Sequence, residues 1–238
     1  MKQQVKPDPE RHVGADAKCP RLLEEMGAFF DARADGYDAH MIDDMGLGEY
    51  YREIGRLCRL VAPEPRLLDL GAGTGLELAD IFRHHPDTRL TAIDLSAGML
   101  EKLKDRFPDQ AGRMKLICGS YFDVPLGDAC FDAVLSSMTF HHFDHGMKRT
   151  LYGKIRQALH AAGCFIYGDY MVRTVEEEHH WLAENHRIRS VQGITDGFFH
   201  YDTPFAVDTE LALLRDAGFT HVEVIRQWGN TTLLCCRP

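Results

Sequence analysis

The chain has 238 residues, of which 45% are hydrophobic and 26% charged, a balance typical of a globular protein and unlike a disordered, collagen-like or coiled-coil chain. Its 27 Lys and Arg against 36 Asp and Glu give a formal net charge of −9. This charge disfavours binding to nucleic acid, which we do not expect as a partner, and favours small uncharged or cationic partners. At roughly 150 residues per domain, the length suits one large domain with attachments.

The seven cysteines form an odd set without a C-x-x-C pair, and most stand in apolar runs. Such cysteines indicate reduced core thiols in a cytoplasmic protein. The first 18 residues are polar and carry no apolar signal core, and no run approaches the ~18 apolar residues of a membrane span. We therefore predict a cytoplasmic protein without a membrane partner, with a flexible tail over residues 1–18. The pattern leaves the oligomeric state open.

Two helices are predicted before the first strand, and together they form an N-terminal helical cap over residues 19–62. The first has Pro20 at its first helical position and an apolar face at Leu22, Leu23, Met26, Phe29 and Phe30. The second carries Tyr50, Ile54, Leu57, Cys58 and Val61 and is ended by Pro63 and Pro65.

From residue 66 onward the chain alternates strand and helix. The predicted strands are 67–70, 90–95, 114–118, 131–136, 163–170, 222–227 and 231–236. Ser96 and Asp208 are predicted helix caps, and a polar helix over 174–190 lies in an inserted segment, residues 171–205, which we name the lid. The alternation predicts an α/β fold with a doubly wound, seven-stranded, mostly parallel sheet and helices on both faces. The short final hairpin makes the last strand antiparallel. The whole of 19–238 is then one domain.

A glycine loop, Gly71 to Gly75, follows the first strand where such sheets bind ligands. Dinucleotide-binding loops have the glycine pattern G-x-G-x-x-G. In this chain Leu76 stands at the position of the third glycine. Asp69 precedes the loop and would repel a pyrophosphate but attract a cation. Asp94, 19 residues after Gly75, ends the second strand, where a carboxylate can accept ribose hydroxyls. S-adenosylmethionine, a cationic nucleoside without phosphate, fits both carboxylates.

At these residues the sequence resembles the class I S-adenosylmethionine-dependent methyltransferases. The matching segments are 67–75 for the glycine motif, 92–96 for the ribose motif, 119–122 for the adenine turn and 131–137 for the fourth strand. Residues 30–38 resemble the helix that family members place over the cofactor. The resemblance covers about residues 66–170 in order, together with the closing hairpin.

The resemblance implies a methyltransferase with S-adenosylmethionine as its cofactor and a small molecule as its acceptor. It places the glycine loop beside the methionyl part, Leu95 and Met99 against the adenine, and Tyr37 on the cofactor carboxylate. The cofactor residues it implies are Tyr37, Asp69, Gly71, Ala72, Gly73, Asp94, Leu95, Met99, Ser120, Tyr121 and Ser136. Simple packing by Tyr37 and helix capping by Asp94 are the plainer alternatives for those two residues.

Two adjacent histidines, His141 and His142, follow the fourth strand and are candidate catalytic bases for an acceptor that must lose a proton. Because neighbouring side chains point differently, we expect at most one to face the cleft. Tyr170, His200 and Tyr201 are candidate acceptor contacts. Structural packing is the alternative for all five. The two Glu-x-x-His pairs within 176–180 have metal-ligand spacing, but we expect a solvated acidic first turn there and no metal in the protein.

Three other functions share these features. An enzyme that modifies S-adenosylmethionine itself, like the related carboxy-S-adenosylmethionine synthases, would differ in its product. A non-catalytic S-adenosylmethionine-binding module would bind without turnover. An NAD-dependent oxidoreductase would share the sheet, but Leu76 and Asp69 count against it.

Overall fold

The computed structural model describes residues 22–58 and 60–238, in which the strands form one seven-stranded sheet. The strands are β1 (Arg66–Leu70), β2 (Arg89–Asp94), β3 (Met114–Cys118), β4 (Phe131–Ser137), β5 (Leu159–Tyr170), β6 (His221–Trp228) and β7 (Thr231–Arg237). Their order across the sheet is β3-β2-β1-β4-β5-β7-β6. The order reverses between β1 and β4, so a ligand crevice opens beyond the carboxyl ends of these two strands.

Pairing within the sheet follows the predicted pattern. β1 to β5 are parallel to one another, and β7 lies between β5 and β6 and is antiparallel to both. The turn between β6 and β7 is too short to cross the sheet, which forces this antiparallel pairing. The predicted fold class is confirmed.

Helices cover both faces of the sheet. They are α1 (Met26–Asp31), α2 (Tyr37–Ala39), α3 (Gly48–Leu57), α4 (Leu78–His84), α5 (Ala97–Arg106), α6 (His145–Ala158), α7 (Val175–Val191) and α8 (Val207–Asp216). One apolar core lies between the sheet and α6 and α8, and a second lies between the sheet and α3, α4 and α5. None of the described helices is long and apolar enough to cross a bilayer.

Several predicted boundaries are wrong at the N-terminal side. α1 begins at Met26, where the Glu25 side chain accepts hydrogen bonds from Gly27 and Ala28 and so caps the helix. Leu22 precedes the helix and is 73% exposed. Pro20 and the predicted tail lie outside the described residues. Likewise α3 ends at Leu57, and Val61 beyond it is 97% exposed.

Two further predictions, the cap of α8 and the burial of the cysteines, are also wrong in part. α8 begins one residue after Ala206, so Asp208 stands within the first turn and not at the cap. The cysteines are free in the described part of the chain, but Cys118 is exposed, and only Cys58 and Cys236 are buried. Cys118 ends a strand that has only one neighbour in the sheet, which explains its exposure.

Candidate functional site

The glycine loop stands at the predicted crevice. Gly71, Gly73 and Gly75 all have positive φ, at +73°, +49° and +73°, a conformation that glycine adopts without a Cβ penalty. The N–H groups of Gly71 and Ala72 donate to Ile93 O at 2.8 and 3.3 Å, which holds the loop against the end of β2. A Cβ on Gly71 would collide with the Thr139 side chain after β4. The loop is therefore closely packed by the two strands that bound the crevice.

Asp94 organises this loop. One carboxylate oxygen accepts from Gly73 N at 2.8 Å, and the other accepts from Ser96 N at 2.8 Å. Burial raises the pKa of Asp94 above its ordinary value, while the Ser96 and Gly73 bonds oppose the rise. The carboxylate thus ties the glycine loop to the start of α5, whose first turn is capped by Ser96 as predicted.

Asp69 and Glu77 form a buried pair of carboxyl groups below the loop. Their residues are 0% and 4% exposed, the two carboxyl groups are hydrogen-bonded to each other, and no N–H group of the described residues donates to Asp69. Burial and the neighbouring Glu77 raise the pKa of Asp69 well above its ordinary value, and burial raises that of Glu77 to about 7. The pair therefore retains a proton near neutral pH and attracts a cation.

Tyr37 lies over the glycine loop, because a Cβ on Gly73 would be 3.9 Å from its ring. Burial, reinforced by the charges of Glu77 and Asp94, raises the pKa of this tyrosine, and its hydroxyl is hydrogen-bonded to Tyr51. The neighbouring Asp38 accepts from Thr74 Oγ1 of the loop at 2.5 Å. The segment before the core therefore contacts the loop directly.

The other predicted cofactor residues separate into crevice and core positions. Met99 is 1% exposed on α5, and Leu95 is half-buried beside it. Ser120 shapes the turn after β3 by accepting from Phe122 N at 3.2 Å. The Tyr121 ring packs in the core, 5.7 Å from that of Phe140. Buried Ser136 donates to Leu70 O at 3.0 Å inside the sheet.

His141 is held by Asp169 at the end of β5. The imidazole Nδ1 lies 2.5 Å from Asp169 Oδ1, while Asp169 Oδ2 accepts from the N–H groups of Phe140 and His141 at 2.8 and 3.0 Å. Burial opposes the charged imidazolium, but the charge and hydrogen bond of Asp169 raise the pKa of His141 overall. His141 lies two residues after Thr139, which packs on Gly71, so it stands next to the loop.

His142 shares its environment with His141, and the expectation that at most one of them faces the cleft stays a prediction. His141 Nε2 and His142 Nδ1 are each 3.5 Å from Asp202 Oδ1. The short 3₁₀ turn Phe140–His142 brings the two rings to a centroid distance of 4.1 Å. Burial and the neighbouring His141 lower the pKa of His142 to about 3, so this imidazole is neutral.

The three candidate acceptor contacts surround the histidine pair. The Tyr170 ring is 6.2 Å from that of His141, and the Tyr201 carbonyl is 3.2 Å from His142 Nδ1. His200 lies 5.0 Å from His142, ring to ring, and stacks on Phe29 of α1 at 3.6 Å. The lid and the N-terminal cap thus meet over the end of β4.

Several charged groups of this region were not predicted from the sequence. Asp202 follows His200 and Tyr201 directly, and that spacing was the available signal. Glu210, Lys148 and Tyr167 form a buried network behind Asp169, with the Tyr167 hydroxyl 3.2 Å from both Asp169 and Glu210 and able to donate to either. Such buried charges are rare and follow no sequence period.

The acidic start of α7 is only partly solvated, contrary to expectation. Glu177 forms a capping box with Thr174, and Glu176 is exposed. Glu178, however, is 1% exposed, accepts from Ala206 N at 2.9 Å and pairs with His145 at 2.8 Å. Glu178, which belongs to neither Glu-x-x-His pair, therefore attaches the start of α7 to the core.

The strand order, the glycine loop and the two carboxylates together define a Rossmann-like, nucleoside-binding α/β protein. Comparison with known proteins is consistent with this class. A family model described as a methyltransferase domain matches residues 67–163. The malonyl-[acyl-carrier protein] O-methyltransferase of Methylococcus capsulatus is 28% identical over 224 residues, which cover 91% of this chain and 73% of that relative.

Two other similarities extend beyond the motifs. The carboxy-S-adenosyl-L-methionine synthase of Helicobacter pylori is 26% identical over 222 residues, covering 84% of this chain and 91% of that relative. The solved structure of DhpI with SAH has a TM-score of 0.62 at 20% identity, covering 89% of this chain and 94% of that one. The chain spans 58% and 53% of two further malonyl-[acyl-carrier protein] O-methyltransferases. These matches support a methyltransferase domain over residues 67–163 and a similarity of most of the chain to S-adenosylmethionine-dependent enzymes.

Proposed function

We propose that the chain catalyses direct transfer of a methyl group from S-adenosylmethionine to a small-molecule acceptor, without a covalent enzyme intermediate. The observation that carries the proposal is the buried pair of carboxyl groups of Asp69 and Glu77 below the glycine loop, in which no N–H group of the described residues donates to Asp69. An ammonium group satisfies such a carboxylate, whereas a pyrophosphate would be repelled.

The cofactor, when bound, supplies a methyl group activated by a sulfonium leaving group. Asp69 and Glu77 would hold its ammonium, and Asp94 would accept from its ribose hydroxyls while keeping Gly73 and Ser96 in place. Tyr37 would close the site from the cap, and Met99 and Leu95 would provide an apolar surface for the adenine. These residues bind, orient and exclude water, which is most of what a displacement at an activated carbon requires.

The acceptor side is assigned to the histidine pair and the lid. His141, His142, Tyr170, His200 and Tyr201 gather beside the glycine loop, and Phe30 of α1 lies 6.3 Å from His142 ring to ring. A partly apolar chamber of this kind suits a small polar acceptor. The net charge of −9 also favours a small molecule over nucleic acid. The compartment proposed for the reaction is the cytoplasm, on the cysteine pattern alone.

One alternative has a specific observation in its favour. The carboxy-S-adenosyl-L-methionine synthase of Helicobacter pylori aligns over 91% of its own length, more completely than the malonyl-[acyl-carrier protein] O-methyltransferase of Methylococcus capsulatus, at 73%. In this alternative the chain modifies the cofactor itself. The two carboxylates around the histidine pair, Asp169 and Asp202, favour the methyl-transfer reading, because they would repel a cofactor that gains a carboxylate.

The first experiment titrates the purified chain calorimetrically with S-adenosylhomocysteine and, separately, with NAD. We expect micromolar binding of the first and none of NAD, with binding lost in Asp94→Ala and retained in Asp105→Ala, an exposed carboxylate on α5. Binding of NAD alone, or of neither ligand, would overturn the cofactor assignment.

Mass spectrometry of turnover mixtures then separates the remaining functions. A screen of small hydroxylated, amino and carboxylated acceptors should yield S-adenosylhomocysteine together with a methylated product. A carboxylated cofactor would identify the alternative enzyme, and binding without any turnover over the whole screen would favour a non-catalytic module.

A further inference from the structure

Three side chains beside the glycine loop bring metal-ligand atoms together. One nitrogen of His141, one nitrogen of His142 and one oxygen of Asp202 all lie within 4.8 Å of one another. His141 Nε2 and His142 Nδ1 are each 3.5 Å from the same oxygen, Asp202 Oδ1. Zn–N and Zn–O bonds of about 2.0–2.1 Å place tetrahedral ligands about 3.3 Å apart. The group is therefore close to the size of a metal-binding set.

His141 is already oriented as a metal ligand would be. Its Nδ1 lies 2.5 Å from Asp169 Oδ1, and Asp169 is fully buried and accepts further bonds from backbone N–H groups. Since the carboxylate accepts, Nδ1 carries a proton, and Nε2 faces Asp202 at 3.5 Å and offers its lone pair there when the ring is neutral. A carboxylate behind a histidine is the usual outer partner of a metal-bound imidazole, where it fixes the tautomer and ring orientation.

His142 offers the second nitrogen through Nδ1. This atom lies 3.5 Å from Asp202 Oδ1 and 3.2 Å from Tyr201 O, in a side chain that is 2% exposed. Two oxygen acceptors beside one ring nitrogen require a positive partner among them, which is either a proton on Nδ1 or a bound cation.

We propose that His141, His142 and Asp202 form a binding site for a divalent transition-metal ion on the acceptor side of the crevice. Two imidazoles and one carboxylate suit zinc or ferrous iron better than magnesium or calcium, which prefer oxygen ligands. Three protein ligands leave at least one position open.

A metal ion at this site would influence which acceptor groups bind there. This part of the inference rests on the proposed methyl transfer. The Tyr170 ring is 6.2 Å from that of His141 and the Phe30 ring is 6.3 Å from that of His142, so an open position beside these rings would hold an acceptor hydroxyl oxygen. A bound cation also lowers the pKa of a coordinated hydroxyl. His141 Nε2 cannot bind the ion and also take a proton from the acceptor. In this proposal His141 acts as a ligand and not as the candidate base considered from the sequence.

The test uses the tag-free chain, stripped with a chelator and titrated with Co²⁺ and with Zn²⁺. We expect one equivalent of Co²⁺ to bind with visible absorption bands of low-symmetry nitrogen and oxygen coordination, and Zn²⁺ to displace it. His141→Ala and Asp202→Asn should each weaken metal binding by at least about 10- to 100-fold. His180→Ala, on the exposed face of α7, is the matched control and should bind like the parent.

Binding of S-adenosylhomocysteine is measured on every variant. The ligand variants should retain it, which shows that they fold and that the cofactor site is intact. Metal binding that is absent in the parent, or unchanged in both ligand variants, overturns the metal site whatever happens to the cofactor. Metal binding by a chain that binds no S-adenosylhomocysteine would leave the metal site standing and overturn the proposed function.

Discussion

Asp69 and Glu77 make the cofactor side of the crevice sensitive to pH. Both carboxyl groups are buried beside each other, and the pKa of Glu77 rises from 4.5 to about 7. Between pH 4.5 and about 7, the folded chain therefore keeps a proton on the carboxyl pair that the unfolded chain has already released. The stabilising effect of that proton is complete below the unfolded pKa and is lost as pH rises through about 7.

We expect the free energy of unfolding of the ligand-free chain to fall by roughly 1–3 kcal/mol between pH 5 and pH 8. Glu77→Gln should flatten this dependence, because the amide is uncharged and can donate to Asp69. Urea titrations at several pH values measure the effect, with Glu101→Gln, an exposed residue of α5, as the control. A slope that is the same in Glu77→Gln and in the parent would contradict the carboxyl pair.

The short helix α1 is an element whose position depends on single side chains. Asp31, at its end, accepts from Ser96 Oγ at 2.5 Å and from Gly98 N at 2.9 Å, and both donors lie at the start of α5. The same stretch of chain is joined to the lid, since Met26 N donates to Phe198 O at 2.9 Å and His200 N donates to Glu24 O at 2.9 Å. Cap and lid therefore form one cover, anchored at the start of α5.

Asp31→Ala should loosen this cover without unfolding the sheet. Removing two hydrogen bonds to a charged group should weaken S-adenosylhomocysteine binding by about 5- to 10-fold, which corresponds to about 1 kcal/mol or slightly more. Calorimetry measures the affinity, and amide exchange over residues 24–37 and 195–203 measures the loosening. Asp35→Ala, which removes an exposed ion pair to Lys102 of α5, should change neither. Equal effects of the two variants would contradict the anchoring role of Asp31.

At the scale of the whole molecule, a buried charged network joins α6, α8 and β5. Lys148 and Glu210 are both fully buried and paired. Tyr152 donates to Glu210 at 2.5 Å, and Tyr167 reaches both Glu210 and Asp169. The network therefore links the packing of two helices to the carboxylate that holds His141. Removing either Lys148 or Glu210 leaves the other charge buried without an ion-pair partner.

Lys148→Met should lower the free energy of unfolding by about 3–5 kcal/mol, because Glu210 would remain buried and unpaired. The double variant Lys148→Met with Glu210→Leu should recover most of this loss, since an apolar pair of similar volume has no charge to compensate. Urea unfolding measures both, with Lys115→Met on the exposed side of β3 expected to stay within about 0.5 kcal/mol of the parent. A double variant as unstable as the single one would contradict the charge argument.

The sequence by itself determined the sheet and the cofactor loop. Strand β3 runs over the predicted residues Met114–Cys118, and Ser96 caps α5 as predicted, because apolar periodicity and capping act over a few neighbouring residues. The glycine loop with Asp69 and Asp94 is also local in sequence, so its position at the sheet switch point could be foreseen.

Only the tertiary structure decided how the acceptor side is built. Asp202 meets His141 and His142 from 60 or so residues away, and Lys148 meets Glu210 across two helices, so no local pattern encodes either contact. The start of α1 was misplaced for the same reason, because its cap is a glutamate and its position is fixed by α5 and the lid. Burial of a polar side chain depends on partners that folding brings together, and that information lies in the three-dimensional packing and not in any one stretch of the chain.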